Sequence, residues 1–117
     1  MPNPYGVPEI SVQILAEKRA NEEAFILLDV REPHELQFAE LDDILLLPLS
    51  LLAEQKLDAI PEELEDKDQE IVVMCHTGRR SAQVTAWLLQ QGWTNVFNLD
   101  GGIEAYALEI DPDVGHY

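Results

Sequence analysis

The sequence predicts an α/β protein with a central parallel sheet of about five strands, flanked by helices on both faces. Short apolar runs rich in leucine, isoleucine and valine alternate along the chain with segments of helical periodicity. The runs are apolar at nearly every position, which is typical of strands covered on both faces. A chain of 117 residues is long enough to bury such a core in one domain.

The first part of the chain is predicted to hold three strands, three helices and a short helical turn. Residues 1–8 contain three prolines and a glycine, which indicates an arm before a domain at residues 9–117. Ser11 fits the N-cap of a helix that runs to Ala20. The other elements expected here are a short strand at 9–10, a strand at 25–28 before Asp29, a helix from Pro33 to about Ala39, a strand at 44–47, a helix capped by Ser50 that runs to about Leu57, and a helical turn after Pro61.

The second part is predicted to hold the central strand and the longest helix. Residues 71–74 are apolar and mostly β-branched, and apolar residues recur at helical spacing from Arg80 to Gln91. Gly92 fits the residue just past the end of this helix, where a left-handed conformation is common. A strand at 96–99, a turn and a helix over 103–109 complete the alternation.

The single cysteine, Cys75, directly follows the central strand. An unpaired cysteine in such a place is often a small core hydrophobe. Here, however, His76, Arg79 and Arg80 follow within five positions, and cationic neighbours at a helix N-terminus favour a reactive thiolate. Gly78 permits the sharp turn in which successive amide N–H groups face one point. Such a loop can hold a thiolate or an oxyanion.

Four stretches resemble a known family. They are Leu28-Asp29-Val30-Arg31-Glu32-Pro33, Leu47-Pro48-Leu49, Cys75-His76-Thr77-Gly78-Arg79-Arg80-Ser81 and Asn98-Leu99-Asp100-Gly101-Gly102-Ile103. The residues of these stretches and their order along the chain resemble those of the single-domain rhodanese-like sulfurtransferases. The resemblance extends from about Ile10 to Tyr117. The ending Glu109-Ile110-Asp111-Pro112 with Tyr117 is similar to rhodanese modules fused to enzymes that activate sulfur carriers.

The resemblance implies that Cys75 is the nucleophile, which receives a sulfane sulfur and holds it as a persulfide. The loop from Cys75 to Arg80 would wrap this group. Arg79 and Arg80 would bind the anionic part of the donor, and His76 would either tune the thiolate or face solvent. No cofactor is implied. The residues whose backbone amides would surround the outer sulfur are His76, Thr77, Gly78, Arg79 and Arg80, and those that would support the loop are Asp29, Arg31 and Ser81.

One stretch departs from the family pattern. Before the third strand the family usually has His-Ile-x-Gly-Ala, whereas this chain has Glu40-Leu41-Asp42-Asp43-Ile44. The glycine is missing and two acids have entered. The departure puts the local turn in question but leaves the nucleophile in place.

The charge of the chain limits its partners. Seven Lys and Arg against 23 Asp and Glu give a net charge of −16, which argues against nucleic acid or an anionic membrane. The segment from Ile71 to Leu99 has two arginines and no acid, so it carries +2 and the rest of the chain −18. We interpret this gap as partly a requirement of an anion site. The expected partners are a small anionic sulfur donor and a basic sulfur-donor or sulfur-acceptor protein.

Other features suggest the compartment and argue against some site types. One cysteine excludes an internal disulfide, and no secretory leader is recognisable, so a reducing cytoplasm is expected. The longest apolar run, Ile44 to Leu52, is broken by Pro48 and is too short to cross a bilayer. His34 and His116 have no spacing relation to Cys75 that predicts a metal site.

Three functions are compatible with this sequence, and sulfur transfer is favoured. The Cys75 thiolate would attack a sulfane donor such as thiosulfate, and the persulfide would pass its outer sulfur to cyanide, a thiol or a carrier protein. A phosphatase or arsenate reductase on the same fold would use Cys-x5-Arg, whereas Arg80 makes Cys-x4-Arg and a smaller ring of amides. A non-catalytic rhodanese-like binding module is disfavoured because Cys75 is present.

Overall fold

Five parallel strands form the sheet at the centre of the protein, which a computed structural model describes over residues 5–117. The strands are β1 (Glu9–Ile10), β2 (Ile26–Asp29), β3 (Ile44–Leu46), β4 (Ile71–Met74) and β5 (Val96–Leu99). The α-helices are α1 (Val12–Ala20), α2 (Leu49–Gln55), α3 (Arg79–Gln90) and α4 (Gly102–Glu109). Within the same residues the strand order is β1-β5-β4-β2-β3, and every adjacent pair is parallel.

The two faces of the sheet carry separate hydrophobic cores. Strand β4 is fully buried, and its side chains alternate between the faces. Ile71 and Val73 pack in a core with residues of α2 and α3, while Val72 and Met74 pack in a core with residues of α1 and α4. The predicted fold class, a parallel sheet with helices on both faces, is confirmed.

The sheet register brings the candidate site residues together. Asp29, the last residue of β2, pairs with Met74, the last residue of β4. Cys75 follows Met74 directly, so both site segments leave the sheet at the same carboxyl edge. Parallel strands order their ends in this way, which is why ligands bind at that edge.

Several local predictions are confirmed. The Ser11 hydroxyl accepts a hydrogen bond of 3.2 Å from the backbone N–H of Ile14, so it caps α1. At the end of α3, Gly92 adopts a φ of +102°, and the Trp93 N–H donates to the carbonyl of Leu88 at 3.1 Å. This 6→1 bond is the Schellman stop expected for a helix that ends in glycine.

The segment after Pro33 differs from the prediction. It forms a 3-10 helix over Pro33–Gln37 rather than an α-helix to about Ala39. The Glu35 and Phe38 N–H groups each donate to a carbonyl three residues back, and Ala39 then forms an antiparallel bridge with Gly115. Because Ala39 is extended in this bridge, the helix ends before it.

Helix α2 also differs from the prediction. It begins at Leu49 after Pro48, so Ser50 is not its cap, and it ends at Gln55 rather than near Leu57, with a 3-10 helix over Lys56–Ala59 beyond it. The Ser50 hydroxyl instead donates to a Glu32 carboxylate oxygen at 2.6 Å. This partner lies 18 residues away in sequence, which is why a local capping rule assigned Ser50 wrongly.

The turn before β3 forms without the family's glycine. Asp43 occupies the position where the family usually has that glycine, and it adopts a φ of +57°. Aspartate tolerates this left-handed conformation better than most residues do. The substitution therefore preserves the turn, and Ile44 enters β3.

The remaining segments are short. The turn expected after Pro61 is a 3-10 helix over Glu62–Leu64, and another covers Pro112–Val114. Residues 1–4 of the expected arm lie outside the described residues. Where the arm meets the sheet, the Pro8 carbonyl accepts a hydrogen bond of 2.8 Å from the Asn98 N–H.

A buried arginine ties the end of β2 to the end of the chain. The Arg31 and Asp29 side chains are both fully buried and form an ion pair, with 2.8 Å between Arg31 Nη2 and Asp29 Oδ2. Arg31 Nη1 also donates to the Ala39 carbonyl at 2.9 Å and to the Tyr117 hydroxyl at 3.1 Å. One side chain therefore joins the end of β2 to Ala39 and to Tyr117 beside the carboxyl edge of the sheet.

The first prediction concerns this buried pair. Asp29→Asn keeps the shape of the side chain but leaves the Arg31 charge uncompensated, so we expect the free energy of unfolding to fall by about 3–5 kcal/mol. Glu23→Gln removes an acid from the more exposed Lys18–Glu23 pair and should cost less than about 1 kcal/mol. Urea unfolding of the three proteins measures both losses. Equal losses in the two variants would contradict the role given to Arg31.

Candidate active site

The candidate active site is the loop between β4 and α3. Cys75 follows the last residue of β4, and Gly78 is the N-cap of α3 with a φ of +98°. A Cβ atom on Gly78 would lie 3.2 Å from both the Gly101 nitrogen and the Leu99 carbonyl oxygen. The loop is therefore pressed against the turn after β5, and Gly78 supplies both the conformation and the space.

Helix α4 anchors the loop from its other side. The N–H groups of Ile103 and Glu104 donate to the carbonyls of Cys75 and His76, each at 3.0 Å. A Cβ atom on Gly102 would lie 2.5 Å from both carbonyl oxygens. The first N–H groups of a helix have no partner within the helix, and here the loop supplies one for two of them.

The Cys75 sulfur lies inside this cradle. The side chain is 1% exposed, and Sγ accepts a hydrogen bond of 3.1 Å from the Gly78 N–H. Ser81 Oγ lies 3.3 Å from the sulfur and only 2.5 Å from Asn98 Oδ1. Asn98 Nδ2 donates to the Gly78 carbonyl at 3.1 Å and to a Glu9 carboxylate oxygen at 2.9 Å. A chain of hydrogen bonds thus runs from the thiol to the edge strand β1.

The guanidinium of Arg80 is held by Glu35. Two hydrogen bonds of 2.7 and 2.8 Å join the side chains, and the Tyr117 hydroxyl donates to the same carboxylate at 2.9 Å. The hydrogen bond from Arg80 is the main cause that lowers the pKa of Glu35 to about 2, against its burial, which raises it. The same contact raises the pKa of Arg80. Arg80 therefore braces the loop against the 3-10 helix.

The other loop residues lie towards the surface. The His76 ring stacks on the Tyr117 ring with 3.6 Å between centroids, and its Nε2 lies 3.5 Å from a Glu104 carboxylate oxygen. Thr77 and Arg79 are exposed. Among residues 5–117, no acid lies within ion-pair distance of Arg79. Arg79 is thus the loop cation that remains available to an anion from solution.

Cys75 to Gly78 form this loop and Arg79 to Ser81 follow at the start of α3, while Asp29 and Arg31 lie at the end of the neighbouring strand β2. Three partners of these residues were not predicted. Glu35 and Tyr117 lie 45 and 82 residues from the groups they join, so no spacing rule connects them to the loop. Asn98 did carry a signal, because it is a polar residue in the otherwise apolar strand Val-Phe-Asn-Leu. A buried polar residue in such a strand needs hydrogen-bond partners.

The described part of the chain has neither a metal-binding cluster nor a membrane-spanning helix. Residues 5–117 contain no group of three or more His, Cys, Asp and Glu side chains arranged to hold a metal ion. No helix in the same range is long and apolar enough to cross a membrane.

Comparison with known proteins identifies close relatives. The profile of the rhodanese-like domain matches residues 11–109. A sulfurtransferase from Allochromatium vinosum is 39% identical over 101 residues, which cover 86% of this chain and 89% of that protein. The adenylyltransferase and sulfurtransferase MOCS3-1 of Zea mays is 34% identical over 97 residues, covering 81% of this chain but 20% of that protein.

A solved structure supports the same assignment. The rhodanese-related protein of Thermoplasma volcanium superposes with a TM-score of 0.69 at 32% identity, over 88% of this chain and 93% of that one. The chain therefore spans nearly the whole length of two of these relatives and one fifth of the third.

The second prediction concerns the pH dependence of stability. The pKa of Glu35 is about 2 in the folded protein and about 4.5 ordinarily, so its ion pair with Arg80 stabilises the fold fully above pH 4.5. The contribution is lost as the pH falls towards 2. We expect Glu35→Gln to lower the free energy of unfolding by about 2 kcal/mol at pH 7, and the difference from wild type to shrink between pH 4.5 and 2.

Urea unfolding across this pH range measures the difference, and Glu54→Gln is the matched control. Glu54 is exposed on α2 and forms no ion pair with another described residue. Its substitution should change stability little at any pH. A Glu35→Gln difference that stayed constant down to pH 2 would disprove the assigned ion pair.

Proposed function

Because the chain belongs to the rhodanese-like domain family, we propose that it transfers a sulfane sulfur through a persulfide on Cys75. Its sulfurtransferase relatives support sulfur transfer in general. The observation that supports a persulfide most directly is the buried Cys75 sulfur, which already accepts the Gly78 N–H at the start of α3. N–H groups at a helix start stabilise negative charge, whether on a thiolate or on the outer sulfur of a persulfide.

The proposed reaction has two steps. The Cys75 thiolate attacks the sulfane sulfur of the donor, so a new Sγ–S bond forms while the S–S bond of the donor breaks. The electron pair of that bond leaves with sulfite when thiosulfate is the donor, or with a thiolate when a persulfide is the donor. An acceptor nucleophile then attacks the outer sulfur, and the Sγ–S electron pair returns to Cys75.

Arg79 and Arg80 have different roles in this proposal. Arg80 is engaged with Glu35 and positions the loop, with a long-range charge effect on Cys75. Arg79 is exposed and would receive the anionic part of the donor. The amides of residues 76–80 would surround the transferred sulfur, as the family resemblance implies.

Charge supports a protein as the natural partner. The chain carries −16 overall, and its acids avoid the segment from Ile71 to Leu99. A basic protein that delivers or accepts sulfur would be attracted over long range, whereas a small dianion such as thiosulfate would be repelled. The name of the Zea mays relative joins a sulfurtransferase to an adenylyltransferase, which supports a protein partner. A reducing compartment such as the cytoplasm would keep Cys75 free.

The third prediction tests the nucleophile. Cys75→Ser should abolish sulfur transfer from thiosulfate to cyanide while the circular dichroism spectrum is unchanged, because the chain has no other cysteine. Intact mass spectrometry after incubation with thiosulfate should show one added sulfur atom on wild type and none on the variant. Hydrolysis of p-nitrophenyl phosphate at a rate comparable to sulfur transfer would favour the phosphatase alternative instead.

The fourth prediction tests the anion site. Arg79→Ala should lower kcat/KM for thiosulfate about tenfold, which corresponds to the loss of about 1.4 kcal/mol of binding free energy. Arg79→Lys should retain most of the activity because it keeps the charge. The matched control is Arg19→Ala, which removes the same charge from α1, an element of the opposite sheet face. Equal effects of the two alanine variants in steady-state assays would rule out a local role for Arg79.

A further inference from the structure

The Ser81 hydroxyl has one hydrogen but lies within hydrogen-bond distance of two possible acceptors. Its Oγ lies 2.5 Å from Asn98 Oδ1 and 3.3 Å from Cys75 Sγ. A serine hydroxyl carries one hydrogen, so it can donate to only one of these atoms at a time. Ser81 and Asn98 are fully buried and Cys75 is 1% exposed, so water cannot substitute readily for the partner that is left.

The hydrogen bonds of Asn98 fix the orientation of its amide. Nδ2 has two hydrogens, and both are used, one on the Gly78 carbonyl and one on the Glu9 carboxylate. Rotating the amide by half a turn would place Oδ1 against these two acceptors. The Asn98 oxygen therefore has to face Ser81, where it acts as an acceptor.

The state of the sulfur decides which partner receives the Ser81 hydrogen. When Cys75 is a thiol, its S–H can donate to Ser81 Oγ, and the hydroxyl can donate to Asn98. When Cys75 is a thiolate, a lone pair of Ser81 would face a negative charge unless the hydroxyl turned towards the sulfur. Turning leaves the buried Asn98 oxygen without a donor, which is costly. No covalent bond of Ser81 changes, and the thiol proton leaves to solvent.

We infer that Asn98 competes with Cys75 for the single hydrogen of the Ser81 hydroxyl and is thereby a positioning residue for the thiolate. The inference rests on the proposed nucleophilic role of Cys75. The inference also covers the persulfide form of Cys75, in which the negative charge lies on the outer sulfur and the inner sulfur is a weak hydrogen-bond acceptor. The Ser81 hydrogen then returns to Asn98.

Other charged groups around the loop also influence the thiol. These groups lie on the elements that surround the loop. They are Asp29 with Arg31, Glu35 with Arg80 and Tyr117, His76 with Glu104, the exposed Arg79, and Glu9 next to Asn98. All of them except Glu9 are the same in the variants described next. A comparison among those variants therefore isolates the shared hydrogen.

The test measures the rate of Cys75 alkylation by iodoacetamide against pH. Asn98→Leu should lower the midpoint of the profile by about one pH unit, because the thiolate then gains the Ser81 hydrogen without leaving Asn98 unpaired. The same substitution in the Ser81→Ala background should shift the midpoint little, since no hydrogen remains to be shared. The control Glu9→Gln removes a charge but keeps an acceptor for Asn98, so its shift should be less than half as large.

A second measurement uses the unsubstituted protein and does not depend on the folding of any variant. The NMR resonance of the Asn98 side-chain carbonyl carbon should titrate with the same midpoint as alkylation, because its oxygen loses a hydrogen bond when the thiolate forms. It should return to its thiol-state position when Cys75 carries a persulfide. Ser81→Ala should remove the titration, and Ser81→Thr, which keeps the hydroxyl, should restore it.

Either of two results would overturn the inference. One is a full midpoint shift from Asn98→Leu in the Ser81→Ala background. The other is an Asn98 resonance that does not change through the midpoint in the unsubstituted protein. Alkylation needs no sulfur donor, so these results are independent of sulfur transfer. Loss of transfer in a protein that shows the expected titration would count against the proposed function alone.

Discussion

The site depends on two hydrogen bonds at the start of α4. The N–H groups of Ile103 and Glu104 hold the carbonyls of Cys75 and His76, so the loop presents its carbonyls to α4 on one side. A Cβ atom on Gly102 would meet both carbonyl oxygens at 2.5 Å, so no larger residue fits there without moving the loop. Within the same loop, the Gly78 N–H donates to the Cys75 sulfur. Helix α4 thus orients the cradle although it contributes no reacting group.

The environment of the thiol combines paired charges with backbone dipoles. Arg31 is compensated by Asp29 and Arg80 by Glu35, and Tyr117 bonds to a member of each pair. Because each of these cations is compensated by an acid, the pairs contribute little net charge near the thiol. Stabilisation of a negative sulfur would therefore fall to the Gly78 N–H, which is fixed in place before any reaction, and to the Ser81 hydroxyl, which turns towards the sulfur when the thiolate forms. The fixed N–H dipole needs no reorganisation when charge develops.

The sequence was most informative where the structure is local. Cys75, Gly78 and the start of α3 follow one another directly, and the same local physics of a strand end and a helix start governs them. Ser50 shows the limit of such reasoning, because a good local cap was overridden by Glu32, 18 residues away. Asp43 shows the opposite case, since it keeps the turn that the missing glycine put in question. The Ser50 outcome cannot be derived without knowing which segments meet, whereas the Asp43 outcome agrees with a local preference of aspartate.

The roles of Glu35 and Tyr117 could not be predicted for the same reason. Their contacts with Arg80 and Arg31 depend on the tertiary structure. Arg31 bonds to Ala39 and Tyr117, and the antiparallel bridge between Ala39 and Gly115 places the last residues near the loop. Asn98 is different, since its polarity within an apolar strand was visible. The sequence pattern could not give the orientation of the Asn98 side-chain amide, which only its contacts with Gly78 and Glu9 define.

The net charge of the chain and the charge of the loop differ in sign. Screening at ordinary salt limits electrostatic effects between exposed charges to about 8–10 Å, so Arg79 acts only on a group close to the loop. Over the rest of the surface, an approaching molecule meets the acids that give the chain its net charge of −16. An anionic small donor is slowed by that field, while a basic surface is drawn in and can deliver an uncharged or singly charged sulfur to the loop. This contrast between the loop and the rest of the surface supports the proposal that a protein carries sulfur to or from Cys75.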